Sequence, residues 1–263
     1  MAERLHPLHP PGEGGHVVVS GSGHSSIPRR SVRVVLVRPE VPANVGAAAR
    51  TIRNTGLEGL SLVAPGDWRT VECWRTAWGA HDVLEEARVF GDLAAAVAGA
   101  HTVIAFSGKR DREQPTLDVR EAAEEVAAMA PGESAALVFG GETSGLTLDE
   151  LALCGRRALI PSHPDQPSLN LSHAVMVAAY EVFRPSDRPA VRRGRATHGG
   201  REAMLELLRE GLLAIGALPP ANTDGFFGEW RALFQRADLT AKEVRLLEHM
   251  ARKMIRRGVG GPS

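Results

Sequence analysis

Only two cysteines, Cys73 and Cys154, occur in 263 residues. Two distant thiols make neither a disulfide framework nor a zinc ligand set, and they read as ordinary reduced side chains of a cytoplasmic protein. Long apolar runs are missing as well. Nothing approaches the roughly 20 residues that a membrane helix needs, and Val17-Val18-Val19 is too short for the core of an export signal. A soluble, cytoplasmic chain without a membrane partner is expected. Nor is one sign of charge in excess: Lys+Arg and Asp+Glu stand at 31 each. Net charge therefore gives no support for a nucleic-acid partner, and any such claim has to rest on local clusters. Familiar loop signatures are absent too. No G-x-G-x-x-G follows a strand, and there is no G-x-x-x-x-G-K-[ST], no H-E-x-x-H and no G-x-S-x-G. No Asp/His/Cys group has metal-ligand spacing, so no metal is expected to be required.

What the chain does contain is organised. Residues 1–31 are rich in Gly, Pro, His and Ser, with too few apolar groups to offset the entropy of ordering, so a disordered tail is expected. From Val32 the texture changes. Val34-Val35-Leu36-Val37 is a continuous apolar run, the mark of a strand buried on both faces. An Ala-rich helix is predicted from Asn44 to Asn54, with Asn44 as N-cap and Gly56 as stop. Further strands are predicted at Gly59–Val63, Arg88–Phe90, Thr102–Phe106, Ala135–Phe139 and Arg157–Ile160. Helical stretches near Val71–Gly79, Leu93–Ala98, Val119–Met129, Leu148–Cys154 and Leu171–Phe183 separate and follow them. This alternation predicts an α/β fold, a parallel sheet covered on both faces, over residues 32–185. Such sheets bind ligands at the carboxyl ends of their strands. The loops to watch are therefore 38–46, 107–112, 140–145 and 161–170.

Pro185 and Pro189, with Arg188, Arg192, Arg193, Arg195 and Arg201, read as a basic linker over 186–201. A helical C-terminal extension, 202–263, follows. Met204, Leu205, Leu208, Leu212 and Ile215 form one stripe; Phe226, Phe227, Trp230, Leu233 and Phe234 form a second; the capping box Thr240-x-x-Glu243 opens a third helix carrying Val244, Leu247, Met250 and Met254.

Three segments carry the functional reading. The first is Asn44-Val45-Gly46-Ala47-Ala48-Ala49-Arg50, the second Phe139-Gly140-Gly141-Glu142-Thr143-Ser144-Gly145, and the third runs from Ile160-Pro161 to Pro167-Ser168-Leu169-Asn170-Leu171-Ser172-His173. In this order and spacing they resemble motifs one, two and three of the SpoU–TrmD superfamily of RNA methyltransferases. Within it the chain is most similar to the TrmJ-type tRNA enzymes, over roughly Val34 to Phe183. The resemblance implies a Rossmann-like sheet whose C-terminal part is threaded into a deep trefoil knot, an S-adenosylmethionine cofactor and a homodimer. It also implies 2′-O-methylation of a ribose in tRNA, at position 32 of the anticodon loop. By position, Arg50, Asn44, Ser168 and Asn170 take catalytic roles. Phe106, Ser107, Gly108, Gly140, Glu142, Ile160, Ser168 and Leu169 take the cofactor. Some relatives carry an Arg where this chain has Gly141, and the contact such an Arg makes with RNA or a second subunit has no counterpart here.

A ribose hydroxyl is a poor nucleophile, so its methylation needs proton removal or stabilisation of the developing oxyanion. A guanidinium stays protonated at ordinary pH. Arg50 is therefore expected to hold the target phosphate and steady the alkoxide. Ribosomal RNA, another tRNA position and a catalytically silent RNA-binding module stand as alternatives. A hydrolase using Ser144 or Ser168 with His173 lacks the nucleophile elbow, and His173 reads as a structural hydrogen-bonder.

Overall fold

A computed structural model describes residues 31–108, 116–184, 194–218 and 223–259. The tail 1–30 and Arg188, Arg192 and Arg193 of the basic stretch lie outside the described residues. Among the described residues seven strands form one sheet: β1 (Ser31–Val37), β2 (Gly59–Val63), β3 (Arg88–Phe90), β4 (Thr102–Phe106), β5 (Thr116–Asp118), β6 (Ser134–Gly140) and β7 (Arg156–Leu159). Their order is β3-β2-β1-β6-β4-β7-β5 and every pairing is parallel.

The period-2 alternation of β1 builds both faces at once. Val32, Val34 and Leu36 join Leu60, Leu62, Ile104 and Leu137 under α1 (Pro42–Thr55), α2 (Val71–Thr76), α3 (His81–Glu85), α5 (Val119–Ala127) and α7 (Leu171–Phe183). Val35 and Val37 join Val103, Ala105, Ala136 and Val138 under α4 (Leu93–Val97) and α6 (Leu148–Leu153). Each fully buried Val or Leu of this double layer contributes roughly 1.5–3 kcal/mol. Gly46 belongs to the packing of α1: a Cβ there would strike the Cys73 carbonyl, so its absence lets α1 lie against α2.

The expected strands and helices are present within a few residues, with three differences. The short elements α3 and β5 carry no periodic signal that the sequence reading could use. The helix expected to reach Gly79 ends at Thr76, in a turn where Gly79 takes a positive φ of 78°. And α8 (His198–Ala214) begins inside the stretch read as linker, capped by the Thr197 side chain on Gly200 N–H at 3.2 Å.

Two late strands enter gaps between earlier ones: β6 lies between β1 and β4, and β7 between β4 and β5. The loops that leave β4, β6 and β7 are thereby neighbours, although up to about sixty residues separate them in sequence. At the opposite, amino-terminal end of the sheet sits the C-terminal unit of α8, α9 (Thr223–Arg236) and α10 (Ala241–Val259). The first N–H groups of α8 bond to the carbonyls of Ala100 and Ala98, at 2.6 and 2.9 Å, just before β4. Arg156, which opens β7, reaches the Gln235 carbonyl at 2.8 Å and Asp238 at 3.0 Å. Two arginines of the expected linker are pinned here as well. Arg195 bonds Thr102 and pairs with the buried Glu133; Arg201 bonds the carbonyls of Ala196 and His101.

Candidate active site

The loops after β4, β6 and β7 enclose a cavity of about 950 Å³. Its volume is in the range of small-molecule and cofactor sites. Phe106 and Phe139 are partners in register across β4 and β6, and their rings stack at 4.8 Å in its wall. Every residue assigned to the cofactor by resemblance lines it: Phe106, Ser107, Gly108, Gly140, Glu142, Ile160, Ser168 and Leu169, together with Asn170. The sequence reading missed others on the same wall, among them Leu151 and Arg157, because positions inside α6 and β7 bear no motif.

The loop after β6 folds tightly on itself. Gly145 N–H bonds the Gly141 carbonyl at 2.9 Å, and Gly145 takes φ 66°, a conformation that favours glycine. A Cβ on Gly140 would strike the backbone of Gly145, and one on Gly141 would strike the Arg38 carbonyl. Gly141 is thus a point of backbone contact with no space for a longer side chain.

Glu142 and Asn44 are the hinge of the site. The Glu142 carboxylate accepts from Glu40 N–H at 2.8 Å, Val41 N–H at 3.2 Å and Asn44 Nδ2 at 2.7 Å. A carboxylate across the first turn of α1 is favoured by the helix dipole and by its unpaired N–H groups. Asn44 was expected to be the N-cap, but Val41 occupies that place and Pro42 opens the helix. Asn44 is the third residue of α1, within its first turn and buried, and its Oδ1 accepts from Asn170 Nδ2 at 3.1 Å. Asn170 in turn caps α7, its Oδ1 accepting from Ser172 N–H at 2.9 Å. One chain of hydrogen bonds therefore ties all three motif segments together.

Arg50 stands apart. It is exposed, lines no part of the cavity, and makes no hydrogen bond or ion pair among the described residues. Ser168 lies at the exposed rim. Its hydroxyl, the Ser144 hydroxyl and the exposed His173 ring share no hydrogen bond among the described residues, so no nucleophile–base pair of a hydrolase forms. Among the described residues the His173 side chain also makes no hydrogen bond, in contrast to the structural bond expected of it. Burial pushes the thiol of Cys73 up to about 11 and that of Cys154 up to about 12, which leaves both unreactive. Among the described residues no group of three His, Cys, Asp or Glu side chains is arranged to hold a metal, and no helix is long and apolar enough to cross a membrane.

Residues 31–180 match the model of the SpoU rRNA Methylase family. A protein of Klebsiella pneumoniae described as tRNA (cytidine/uridine-2′-O-)-methyltransferase TrmJ is 34% identical over 231 residues, 84% of this chain and 95% of its own. A Pseudomonas aeruginosa protein described as tRNA (cytidine/uridine/adenosine-2′-O-)-methyltransferase TrmJ is also 34% identical, across 82% of this chain and 90% of its own. Among solved structures, that of TrmJ from Z. mobilis ZM4 superposes with a TM-score of 0.74 at 32% identity, covering 84% of this chain and 98% of the other.

Proposed function

The chain belongs to the SpoU rRNA methylase family, and from that premise we infer that it transfers a methyl group from S-adenosylmethionine to the 2′-hydroxyl of a ribose in tRNA. The observation that carries this reading is the convergence of all eight cofactor-assigned residues on one cavity, bounded by a glycine-tight loop and a stacked aromatic pair. Relatives described as tRNA 2′-O-methyltransferases match across nearly their whole length, which favours tRNA over ribosomal RNA as substrate. Within tRNA we assign the target to position 32 of the anticodon loop.

The residues present fit the cofactor. Phe106 and Phe139 offer apolar faces, and the loops Ser107–Gly108, Gly140–Gly145 and Ser168–Leu169 offer backbone donors and acceptors to a polar ligand. When bound, S-adenosylmethionine supplies an activated methyl on a leaving group that departs neutral. The chain's own residues have to place and activate the hydroxyl. Asn44 and Asn170, locked to each other and to Glu142, set the positions of the α1 and α7 N-termini around the cavity mouth. Arg50, permanently cationic, binds the phosphate beside the target ribose and stabilises charge as it develops on the 2′-oxygen.

Arg50 performs this role in the cavity of a second copy, so the active form is a homodimer. Met176, Tyr180 and Phe183 stand at i, i+4 and i+7 on α7, all exposed, and form an apolar stripe that a second copy covers. Helix α1 packs beside α7, so a dimer built on that stripe brings Arg50 close to the opposite protomer. The entry of β6 and β7 into gaps between earlier strands also supports the knotted threading that the family resemblance implies.

The test is direct. The purified full chain is titrated calorimetrically with S-adenosylmethionine, then incubated separately with unmodified tRNA and ribosomal RNA. Part of each product is digested to nucleosides and part to oligonucleotides, and mass spectrometry identifies the methylated nucleoside and its position. Binding together with a ribose-methylated nucleoside at position 32 is expected. A methylated base, or transfer to ribosomal RNA alone, would overturn the reading.

A further inference from the structure

We propose that Arg38 and Glu40 are positioning residues for the cofactor, fixing from outside the cavity the loop whose inner side forms its wall. The proposal rests on the reading of that cavity as the S-adenosylmethionine site. Arg38 directly follows β1 and has φ 49°, a left-handed conformation that side-chain-bearing residues rarely adopt. Glycine takes such a conformation without strain, yet a long cationic side chain stands there. What that side chain touches accounts for its presence. Its Nη2 donates to Glu150 Oε2 at 2.8 Å and to the Gly145 carbonyl at 3.3 Å, while Nη1 pairs with the other Glu150 oxygen. Glu150 also closes the capping box of α6, accepting from Thr147 N–H at 2.8 Å. The guanidinium thus clamps the exit of the glycine loop to the start of α6.

Glu40 holds the middle of the same loop. Its Oε1 accepts from Thr143 N–H at 3.1 Å and its Oε2 from Thr143 Oγ1 at 2.5 Å, and these bonds draw its carboxyl below the usual carboxylate range. The clasp is reciprocal, because Glu142 accepts from the backbone N–H of Glu40. Between the two side chains the Arg38 carbonyl lies against Gly141, where no Cβ fits. Positions 141, 143 and 145 are therefore all held by residues 38–40, and neither Arg38 nor Glu40 lines the cavity. A binding wall held in shape beforehand spends less of its interaction energy on ordering when the ligand arrives. These contacts are partly exposed, so they contribute little to global stability. Their consequence falls on cofactor affinity.

Four substitutions in the full chain test this. Arg38→Gly removes the guanidinium and relaxes the backbone; Arg38→Lys keeps the charge without the planar fork. Glu150→Gln preserves the capping box and removes the opposing charge, and Glu40→Ala removes the carboxylate that holds Thr143 while keeping the backbone N–H that Glu142 accepts from. Arg38→Gly is expected to raise the Kd and KM for S-adenosylmethionine about tenfold, the size of one missing charged hydrogen bond. Its kcat at saturating cofactor should stay within about twofold, since positioning of a binding wall is read in KM. Arg38→Lys should fall between it and the parent. If Arg38→Gly does not fold, Glu150→Gln and Glu40→Ala decide, each expected to weaken cofactor binding severalfold. Unchanged cofactor affinity in the variants, or a fall in kcat with KM constant, overturns the inference while leaving the cofactor site intact. A parent chain that does not bind S-adenosylmethionine overturns the cofactor reading and this inference with it.

Discussion

Arg50 and Asn44 lie six residues apart on one helix, yet they face different tasks. Asn44 is buried in a hydrogen-bond chain that joins three loops, whereas Arg50 is exposed and unpaired among the described residues. Arg50→Ala is therefore expected to abolish methyl transfer, a loss of at least about a hundredfold for a charge-stabilising group, with cofactor affinity unchanged by calorimetry. Full activity in that variant would remove its catalytic assignment. Gly141 makes a second prediction at this scale. Because a Cβ meets the Arg38 carbonyl, Gly141→Ala should destabilise the loop by about 1–3 kcal/mol, the usual cost of overpacking, and weaken S-adenosylmethionine binding. Gly141→Arg, the residue of some relatives, should behave worse and not restore an RNA contact. At single residues the sequence was a mixed guide. An Asn before an Ala-rich run resembles an N-cap, while the real partner of Asn44, Glu142, is 98 positions away and invisible to local pattern. Pro42 was the better signal, since Pro favours the first helical position.

Elements were more legible than their ends. The β4 strand Thr102–Phe106 and the α7 helix Leu171–Phe183 stand where apolar pattern placed them, because both are long enough or apolar enough to declare a period. The start of α8 was hidden, because Arg195 and Arg201 look like linker charge until their partners Thr102, Glu133 and His101 are known. His198, the first residue of α8, is buried with Arg201 and Arg231 nearby. Burial first, and those two cations second, push its imidazole down to about 4. Its Nε2 has no hydrogen-bond partner among the described residues, and the positive end of the helix dipole further opposes a charged ring. An unfolded histidine titrates near 6.5, so below that pH the unfolded chain takes up a proton that the native one refuses. Stability contributed by the neutral ring is complete above about pH 6.5 and is lost as pH falls toward about 4. The loss between pH 7 and pH 5 should be on the order of 2 kcal/mol. Chemical denaturation at those two pH values measures it. His198→Gln should flatten the difference, and an equal slope in that variant would show that other groups carry it.

For the whole molecule, assembly and substrate capture are the open dimensions. Tyr180→Glu places a charge in the middle of the α7 stripe and should give a monomer by analytical ultracentrifugation, with methylation abolished. A dimer that survives the substitution would move the interface elsewhere. On α10, Lys253, Arg256 and Arg257 are exposed and form no ion pair among the described residues. They remain candidates for binding phosphate, unlike Arg195 and Arg201, which are spent on docking. Replacing Arg256 and Arg257 with Ala should make the slope of log affinity against log salt shallower by about 0.7–0.9 for each phosphate no longer neutralised. An unchanged slope would exclude this helix from RNA binding.

The anchoring of α8 at the amino ends of the strands has a consequence for which RNAs such a protein accepts. The cavity opens at the other ends, so the docking contacts of α8 and the cavity lie at opposite ends of the strands, about the length of β6 apart, roughly 20 Å at about 3.3 Å per residue. On the reading of this chain as a tRNA methyltransferase, an RNA that touches both ends would have to be a folded body of at least that breadth. A short single strand would reach only one. RNAs would then be graded by width before any base edge is inspected.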